Sequence, residues 1–155
     1  MIHTMNKVAK RPTGAATESF GESGMVRLLE AARALQERVD EALESVGLSG
    51  AKYMALEQLA KAGGAMSLSA LADCRKCVRS NITQLIDRLE SDGLVERSDD
   101  PEDRRGVRAQ ITKLGSSKFE AGTEAIREVQ AEFAAQVPRD EQASFLRALS
   151  AFKKL

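Results

Sequence analysis

A run of polar side chains without acids stands in the middle of the chain. From Val78 to Leu85 the sequence contains no Asp or Glu, although acids usually favour the first turn of a helix because they interact well with its dipole. The run offers one cation and four uncharged hydrogen-bonding side chains: Arg79, Ser80, Asn81, Thr83 and Gln84. Asn and Gln can pair with the edge of adenine, Ser and Thr with several bases, and Arg or helix N–H groups with phosphate. These residue types predict a helix whose N-terminal half enters the major groove of DNA; a plain solvated face is the alternative.

The apolar residues of the same segment keep helical spacing, so the polar side chains have a defined face. One stripe on a helix of period 3.6 contains Val78, Ile82, Leu85, Ile86 and Leu89. With that stripe inside, Ser80 and Gln84 point outward, and Thr83 and Arg88 flank them. Asp92 and Gly93 end the helix, because glycine readily takes the left-handed conformation after a last turn.

A β-hairpin is predicted directly after this helix. Leu94–Ser98 and Gly106–Thr112 are its two strands, around the acidic loop Asp99–Arg105. The end of the loop and the return strand carry three cations, Arg104, Arg105 and Arg108. Arginine is attracted into a narrow minor groove by the concentrated negative potential there. An ordinary charged surface hairpin is the alternative, since exposed ion pairs are common.

The elements before the polar helix complete a recognisable motif. Ser69 is predicted to cap a short helix, Ala70–Asp73, and the turn Cys74–Cys77 joins it to the helix from Val78. Two helices at a short turn followed by a hairpin make a winged helix-turn-helix. Ala65–Leu68 is short enough to be one extended piece, which could add an edge strand to the hairpin.

Long amphipathic helices flank this motif and need a partner. We expect a helix over Met25–Val46, one over Gly50–Ala62 capped by Ser49, one from Thr112 to about Ala135, and a last one over Glu141–Lys154 capped by Asp140. The first and the last two have apolar stripes that little remaining chain could cover. A symmetric pair of subunits is the commonest solution. We therefore expect a homodimer, with a monomeric bundle as the alternative.

The predicted fold is mainly α with a small antiparallel β wing. It is organised as a flexible arm over residues 1–24, a dimerisation helix over 25–48, a winged helix-turn-helix over 49–115, and C-terminal dimerisation helices over 116–155. The arm contains Pro12 and several Gly, Ser and Thr; its cations Lys7, Lys10 and Arg11 could instead lie along phosphate.

Composition restricts the function classes. The formal net charge is zero, so a DNA-binding surface must arise from where the charges lie and not from their sum. No apolar run is long enough to span a membrane, and the N-terminus lacks the apolar region of a secretory signal. We therefore expect a cytoplasmic protein. His3 is the single histidine and lies in the arm, which leaves no Cys/His or Ser/His/Asp set for catalysis. Neither an enzyme nor a cofactor is predicted; a purely helical adaptor is a weaker alternative that leaves the hairpin arginines unexplained.

Cys74-Arg75-Lys76-Cys77 forms a C-x-x-C with three interpretations. Both thiols could be small apolar fillers of the turn. They could form a redox switch, because neighbouring cations and a helix N-terminus lower thiol pKa values, and oxidation would distort the turn before the polar helix. A zinc site is the weakest interpretation, since structural zinc prefers four Cys or His ligands.

The chain resembles the MarR family of bacterial transcriptional regulators. The resemblance rests on Leu71-Ala72, the run Asn81–Glu90, Gly93–Arg97, the wing motif Asp103–Val107, Ile111-Thr112 and Gly115. It implies a triangular homodimer with recognition helices in successive major grooves of a pseudo-palindromic operator. Arg105 resembles the minor-groove arginine of the family, and Ser80, Asn81, Thr83 and Gln84 match its base-reading or backbone-contacting positions.

The resemblance also implies regulation by a small molecule. Such regulators are usually repressors released by small, often aromatic ligands that bind between the dimerisation helices and the DNA-binding region. Tyr53 and Met54 are candidate lining residues. The sequence departs from the family at Cys77 and Val78, where a small apolar residue and a Ser or Thr are usual; Val78 cannot cap the helix through a side-chain oxygen. A repressor switched through Cys74 and Cys77 is the alternative function.

Overall fold

The chain folds into helices and a small sheet, which we describe from a computed structural model over residues 20–75, 79–100 and 106–152. In chain order the elements of these residues are α1 (Phe20–Ser45), α2 (Gly50–Lys61), β1 (Ala65–Ser67), α3 (Leu68–Arg75), α4 (Arg79–Ser91), β2 (Val95–Asp99), β3 (Val107–Ile111), α5 (Lys113–Gln136) and α6 (Gln142–Phe152). None of the helices in the described ranges combines the length and the apolar character that a membrane span requires.

Helix α1 begins earlier than the sequence predicted. It starts at Phe20, not at Met25, so residues 20–24, which we had placed in the flexible arm, are helical. Gly21 and Gly24 had suggested a loop, but a glycine costs only about 1 kcal/mol inside a helix, and Glu22 in the first turn interacts favourably with the helix dipole. The rest of the predicted arm, including its cations and His3, lies outside the described residues.

The chain divides into two compact units, residues 1–35 and residues 36–155. The described part of the first unit is the N-terminal part of α1, on which Met25, Val26 and Leu29 are exposed. The second unit contains every other element and the buried core.

The winged helix-turn-helix is present, with one correction at its first helix. The sheet order is β1-β3-β2 with antiparallel pairing, so the predicted third edge strand is confirmed. Helix α3 begins at Leu68, and the Oγ of Ser67 accepts the N–H of Ala70 at 3.2 Å. Ser67, not Ser69, therefore caps this helix, because the strand ends one residue earlier than expected and the helix begins two residues earlier, at Leu68.

The core of the second unit gathers buried aliphatic side chains from the helices α1 to α4 and from β2 and β3. The fully buried large side chains are Leu43, Leu48, Leu56, Leu59, Leu71, Ile82, Ile86 and Leu89. Each contributes about 1.5–3 kcal/mol by leaving water. Together they fix α4 against α2 and α3, so the stripe predicted on α4 is confirmed at its central positions.

Helix α5 leaves the wing through a close backbone contact. Thr112 caps it as predicted, and its Oγ1 accepts the N–H of Gly115 at 3.0 Å. A Cβ at Gly115 would lie 2.0 Å from the backbone oxygen of Leu94. Only glycine fits this position without movement of the wing.

Helix α6 begins one residue later than predicted and buries none of its residues in the chain. Its first residue is Gln142, so Glu141, not Asp140, precedes the helix. The N–H groups of Glu141 and Gln142 both donate to the carbonyl of Pro138, which explains the later start.

Candidate nucleic-acid interface

Helix α4 presents the predicted polar face to solvent. Ile82, Ile86 and Leu89 are buried, and the opposite face exposes four of the predicted site residues: Asn81, Thr83, Gln84 and Arg88. The first turn contains no acid. Arg79 and Ser80 lie at the start of the helix, but their side chains are outside the described residues.

The acids of the second half of α4 are held by cations from other elements. Arg97 on β2 donates from Nη2 to Asp87 at 2.5 Å and from Nη1 to Glu90. Lys52 on α2 forms an ion pair with Asp92, just after the helix. The three acids nearest to the polar face therefore each lie beside a cation, with Asp87 and Glu90 sharing Arg97, which reduces their repulsion of a phosphate backbone.

The pKa of Arg97 reflects this arrangement. Partial burial alone would lower that pKa, but the hydrogen bonds with Asp87 and Glu90 outweigh burial and raise it above its ordinary value. Arg97 is therefore a cation at neutral pH, and its guanidinium is bonded to both acids of α4.

The wing carries Arg108 on the face of the sheet away from the core. Arg108 lies opposite Ser67 of β1 and Ser98 of β2. Its Nη2 donates to the carbonyl of Ala65 at 3.4 Å, and its Nε is buried without a hydrogen-bond partner among the described residues. Arg108 is thus drawn against the sheet. Arg104 and Arg105, and with them the loop tip, lie outside the described residues.

Helix α3 is longer than the sequence predicts. Helix α3 continues to Arg75 and so includes Cys74, which is exposed. The interpretation of Cys74 as an apolar filler of the turn is therefore wrong: the additional helical residues turn its side chain outward. Cys77 and Val78 lie outside the described residues, and the redox interpretation remains a prediction.

Tyr53 and Met54 occupy different sides of α2. The ring of Tyr53 stacks on Phe119 of α5, with centroids 5.5 Å apart, and its hydroxyl lies 3.3 Å from the Oγ1 of Thr123. Met54 is 47% exposed, because consecutive helical residues point about 100° apart. The structure places Tyr53 between α2 and α5, whereas Met54 does not share its surroundings.

Sequence reasoning missed Arg97 and Lys52. A signal for Arg97 was present, because strand residues two apart share a face. Arg97 follows the apolar Val95 on that face, and the preceding helix carries Asp87 and Glu90 at a spacing of three. Lys52 gave no comparable signal, since its partner Asp92 lies 40 positions away.

Comparison with known proteins agrees with this geometry. The family model described as the MarR family matches residues 46–106. Two curated relatives are each 33% identical to this chain over the aligned residues. They are the HTH-type transcriptional regulator PrsX of Escherichia coli and the HTH-type transcriptional repressor MdtR of Bacillus subtilis. The alignment with MdtR extends over 95 residues, which are 59% of this chain and 61% of MdtR. The chain thus spans about three fifths of the length of these two relatives.

Solved structures show the same fold over most of the chain. The Escherichia coli MarR mutant C80S complexed with operator DNA superposes with a TM-score of 0.70 at 22% identity, over 88% of this chain and 99% of that one. The organohalide-sensing regulator RdhR-CbdbA1625, in its 2,4-dichlorophenol-bound form, superposes with a TM-score of 0.72 at 19% identity, over 97% and 89%. Likenesses at these identities show the fold alone.

The sequence motif, the fold and the family model agree on one assignment. The model spans α2 to the wing, where the buried core and the polar face of α4 lie. Proteins of this family are transcriptional regulators and not enzymes. Over residues 46–106 the chain therefore matches the MarR family, and its fold is the winged helix-turn-helix of the solved MarR structures.

Proposed function

We propose that this chain is a homodimeric, sequence-specific DNA-binding regulator of transcription, acting in the cytoplasm as a repressor that a small ligand releases from a pseudo-palindromic operator. The observation that carries the proposal is the face of α4. It is exposed, free of acids in its first half and rich in side chains that pair with base edges, while its buried stripe fixes its orientation. The matching of Asp87, Glu90 and Asp92 by cations supports the same interpretation.

A second copy of the chain is supported by the apolar surface that α5 and α6 leave uncovered. Phe133 is 40% exposed, Leu146 62% and Phe152 51%. Phe133 and Phe145, whose ring centroids are 6.1 Å apart, both line a groove of about 130 Å³ between the two helices. Apolar residues gathered in this way favour association. A two-fold pair would place two α4 helices on two half-sites about one helical turn apart.

Repression and release by a ligand are supported by two similar proteins. MdtR is a transcriptional repressor by name, and RdhR-CbdbA1625 has been crystallised with 2,4-dichlorophenol. In this chain the aromatic pair of Tyr53 and Phe119 lies between α2 and α5, next to the DNA-binding region. We propose that an aromatic ligand acts there, because stacking and the Tyr53 hydroxyl suit a phenol. Adding 2,4-dichlorophenol to the operator complex should release DNA from the parent chain but not from Tyr53→Ala; equal release from both would contradict this part of the proposal.

Selection from a random duplex pool tests DNA reading. The parent chain should enrich a pseudo-palindromic operator, with an affinity that falls steeply with salt. Gln84→Ala should weaken operator binding about 5- to 150-fold, the equivalent of one lost bidentate base contact, and leave binding to unrelated duplex unchanged. Gln130→Ala, an exposed glutamine on α5, is the matched control and should bind as the parent does. Absence of binding to any duplex at low ionic strength would refute the proposal.

A further inference from the structure

The geometry points to Arg97 as a positioning residue that holds the wing against the recognition helix α4 and so couples the reading of central and flanking base pairs. The inference rests on the proposed function and goes beyond it, because Arg97 itself is given no contact with DNA. Its guanidinium bonds to three residues of α4. Nη2 donates to the carbonyl of Thr83 at 3.4 Å and to Asp87 at 2.5 Å, and Nη1 donates to Glu90.

The three residues that Arg97 contacts lie along one line of α4. Thr83, Asp87 and Glu90 follow each other at spacings of four and three, which is one face of a helix. Thr83 is also one of the exposed residues of the candidate DNA-reading face, next to Gln84. One side chain from the wing therefore bonds to the backbone of the segment expected to enter the groove and to both acids of the following turns.

Arg97 also stands at a critical place on β2. The first residues of the strand are secured by the core and by the backbone, since Val95 is 2% exposed and the N–H of Leu94 donates to the carbonyl of Leu89 at 2.8 Å. Beyond Arg97 on the same face comes Asp99, which is exposed and pairs with Val107 of β3. Arg97 therefore lies on β2 between the buried Val95 and the exposed Asp99, where the strand leaves the core.

A positioning role is favoured over a role in folding by the exposure of the ion pairs. The side chains of Arg97, Asp87 and Glu90 are 26%, 56% and 41% exposed, and ion pairs at such sites contribute little to folding. Binding is more sensitive, because a site loses function when its elements move by about 1 Å. Lysine can replace Arg97 only in part, since a single ammonium group keeps the charge but does not reproduce the planar fork that bonds to three acceptors.

If Arg97 contacted phosphate directly, its loss would have different effects from the loss of a positioning residue. Loss of a phosphate contact lowers affinity for every duplex by the same factor and reduces the salt slope by about one. Loss of positioning lowers the preference for the complete operator over one with altered flanks and leaves the salt slope unchanged.

The experiment compares three duplexes: the operator selected by the parent chain, the same operator with its flanks replaced, and an unrelated duplex. The full-length variants are Arg97→Met, Arg97→Lys and the double variant Asp87→Asn with Glu90→Gln. Arg127→Met is the matched control, because Arg127 forms an exposed ion pair with Glu124 on α5. Affinity, salt slope and thermal unfolding are measured for each.

We expect Arg97→Met and the double variant each to lower the preference for the complete operator roughly 5- to 20-fold, at the lower end of the range for one lost base contact. Combining them should add little further loss, since the residues act as one unit. Arg97→Lys should be intermediate, and Arg127→Met should resemble the parent. If Arg97→Met unfolds, the double variant decides, because it keeps the arginine.

Unchanged operator preference in the double variant, or a uniform loss on all three duplexes with a reduced salt slope, overturns the inference. A parent chain that binds none of the duplexes would instead refute the proposed function. The two failures are therefore distinguished by the parent alone.

Discussion

The winged helix-turn-helix and the C-terminal helices of this chain contain similar apolar residues but differ in how far those residues are buried. Between α2 and β3 most of the large aliphatic side chains are buried, as Leu56, Leu71 and Ile86 show with no exposed area. In α6 none is buried, and Leu146 and Phe152 are more than half exposed. The first region completes its core within one chain. The second leaves apolar surface that a partner can cover, so it is suited to association.

The largest expected effect follows from disturbing the winged helix-turn-helix, which completes its core within one chain. Gly115→Ala places a Cβ 2.0 Å from the Leu94 oxygen, so β2 and α5 must move apart. We expect a loss of about 3 kcal/mol or more in the free energy of unfolding, measured by urea denaturation. Gly63→Ala is the control, because nothing lies within 4 Å of its Cβ and only its φ of +81° opposes the substitution; it should cost about 1–2 kcal/mol. Equal losses at the two glycines would show that the contact with Leu94 is not critical.

The next largest effect concerns the C-terminal helices, which leave apolar surface exposed. Leu146→Asp puts a charge on the exposed apolar side of α6, where a partner would have to desolvate it. Sedimentation should show a shift from dimer to single subunits, with a loss of roughly a hundredfold in operator affinity as the two half-sites are read separately. The unfolding temperature of the isolated subunit should change little.

Met54→Asp is the matched control for this prediction, since Met54 is 47% exposed on α2. It should leave the oligomeric state of the parent unchanged. Dissociation by both variants, or a parent that sediments as a single subunit, would contradict the assignment of α5 and α6 as the dimerisation surface.

The smallest effect concerns the ion pair between the C-terminal part of α1 and α5. Arg38 donates to Glu132 at 2.8 Å and 3.0 Å, and this hydrogen bonding lowers the pKa of Glu132. A carboxyl whose pKa is lower in the folded state stabilises the fold above its unfolded pKa and loses that contribution as the pH falls through the folded value. Glu132→Gln should lower the unfolding temperature slightly at neutral pH and hardly at all in acid below the folded pKa.

Glu120→Gln, at another exposed carboxylate of α5, is the comparison for this pH dependence. A temperature difference between Glu132→Gln and the parent that persists unchanged into acid would contradict the role of the Arg38–Glu132 pair.

Local patterns were sufficient for most elements. Ser49 and Thr112 cap α2 and α5 as expected, and Gly93 takes the predicted left-handed conformation with φ +71° after α4. These features depend on residues a few positions apart, so the sequence displays them directly. The predictions failed where neighbouring signals competed, as at Gly21 and Gly24 in α1 and at Ser67 and Ser69 around the start of α3.

In the candidate site, too, some features follow from the sequence and others only from the tertiary structure. The sequence alone determined the polar face of α4, because a period of 3.6 separates Ile82 and Ile86 from Thr83 and Gln84. Only the tertiary structure decided how that face is held. Arg97 reaches α4 from β2, and Lys52 meets Asp92 from α2, across separations that carry no periodic signal. Local periodicity fixes which side of an element is apolar, whereas the partners of a charged side chain depend on which elements the core brings together.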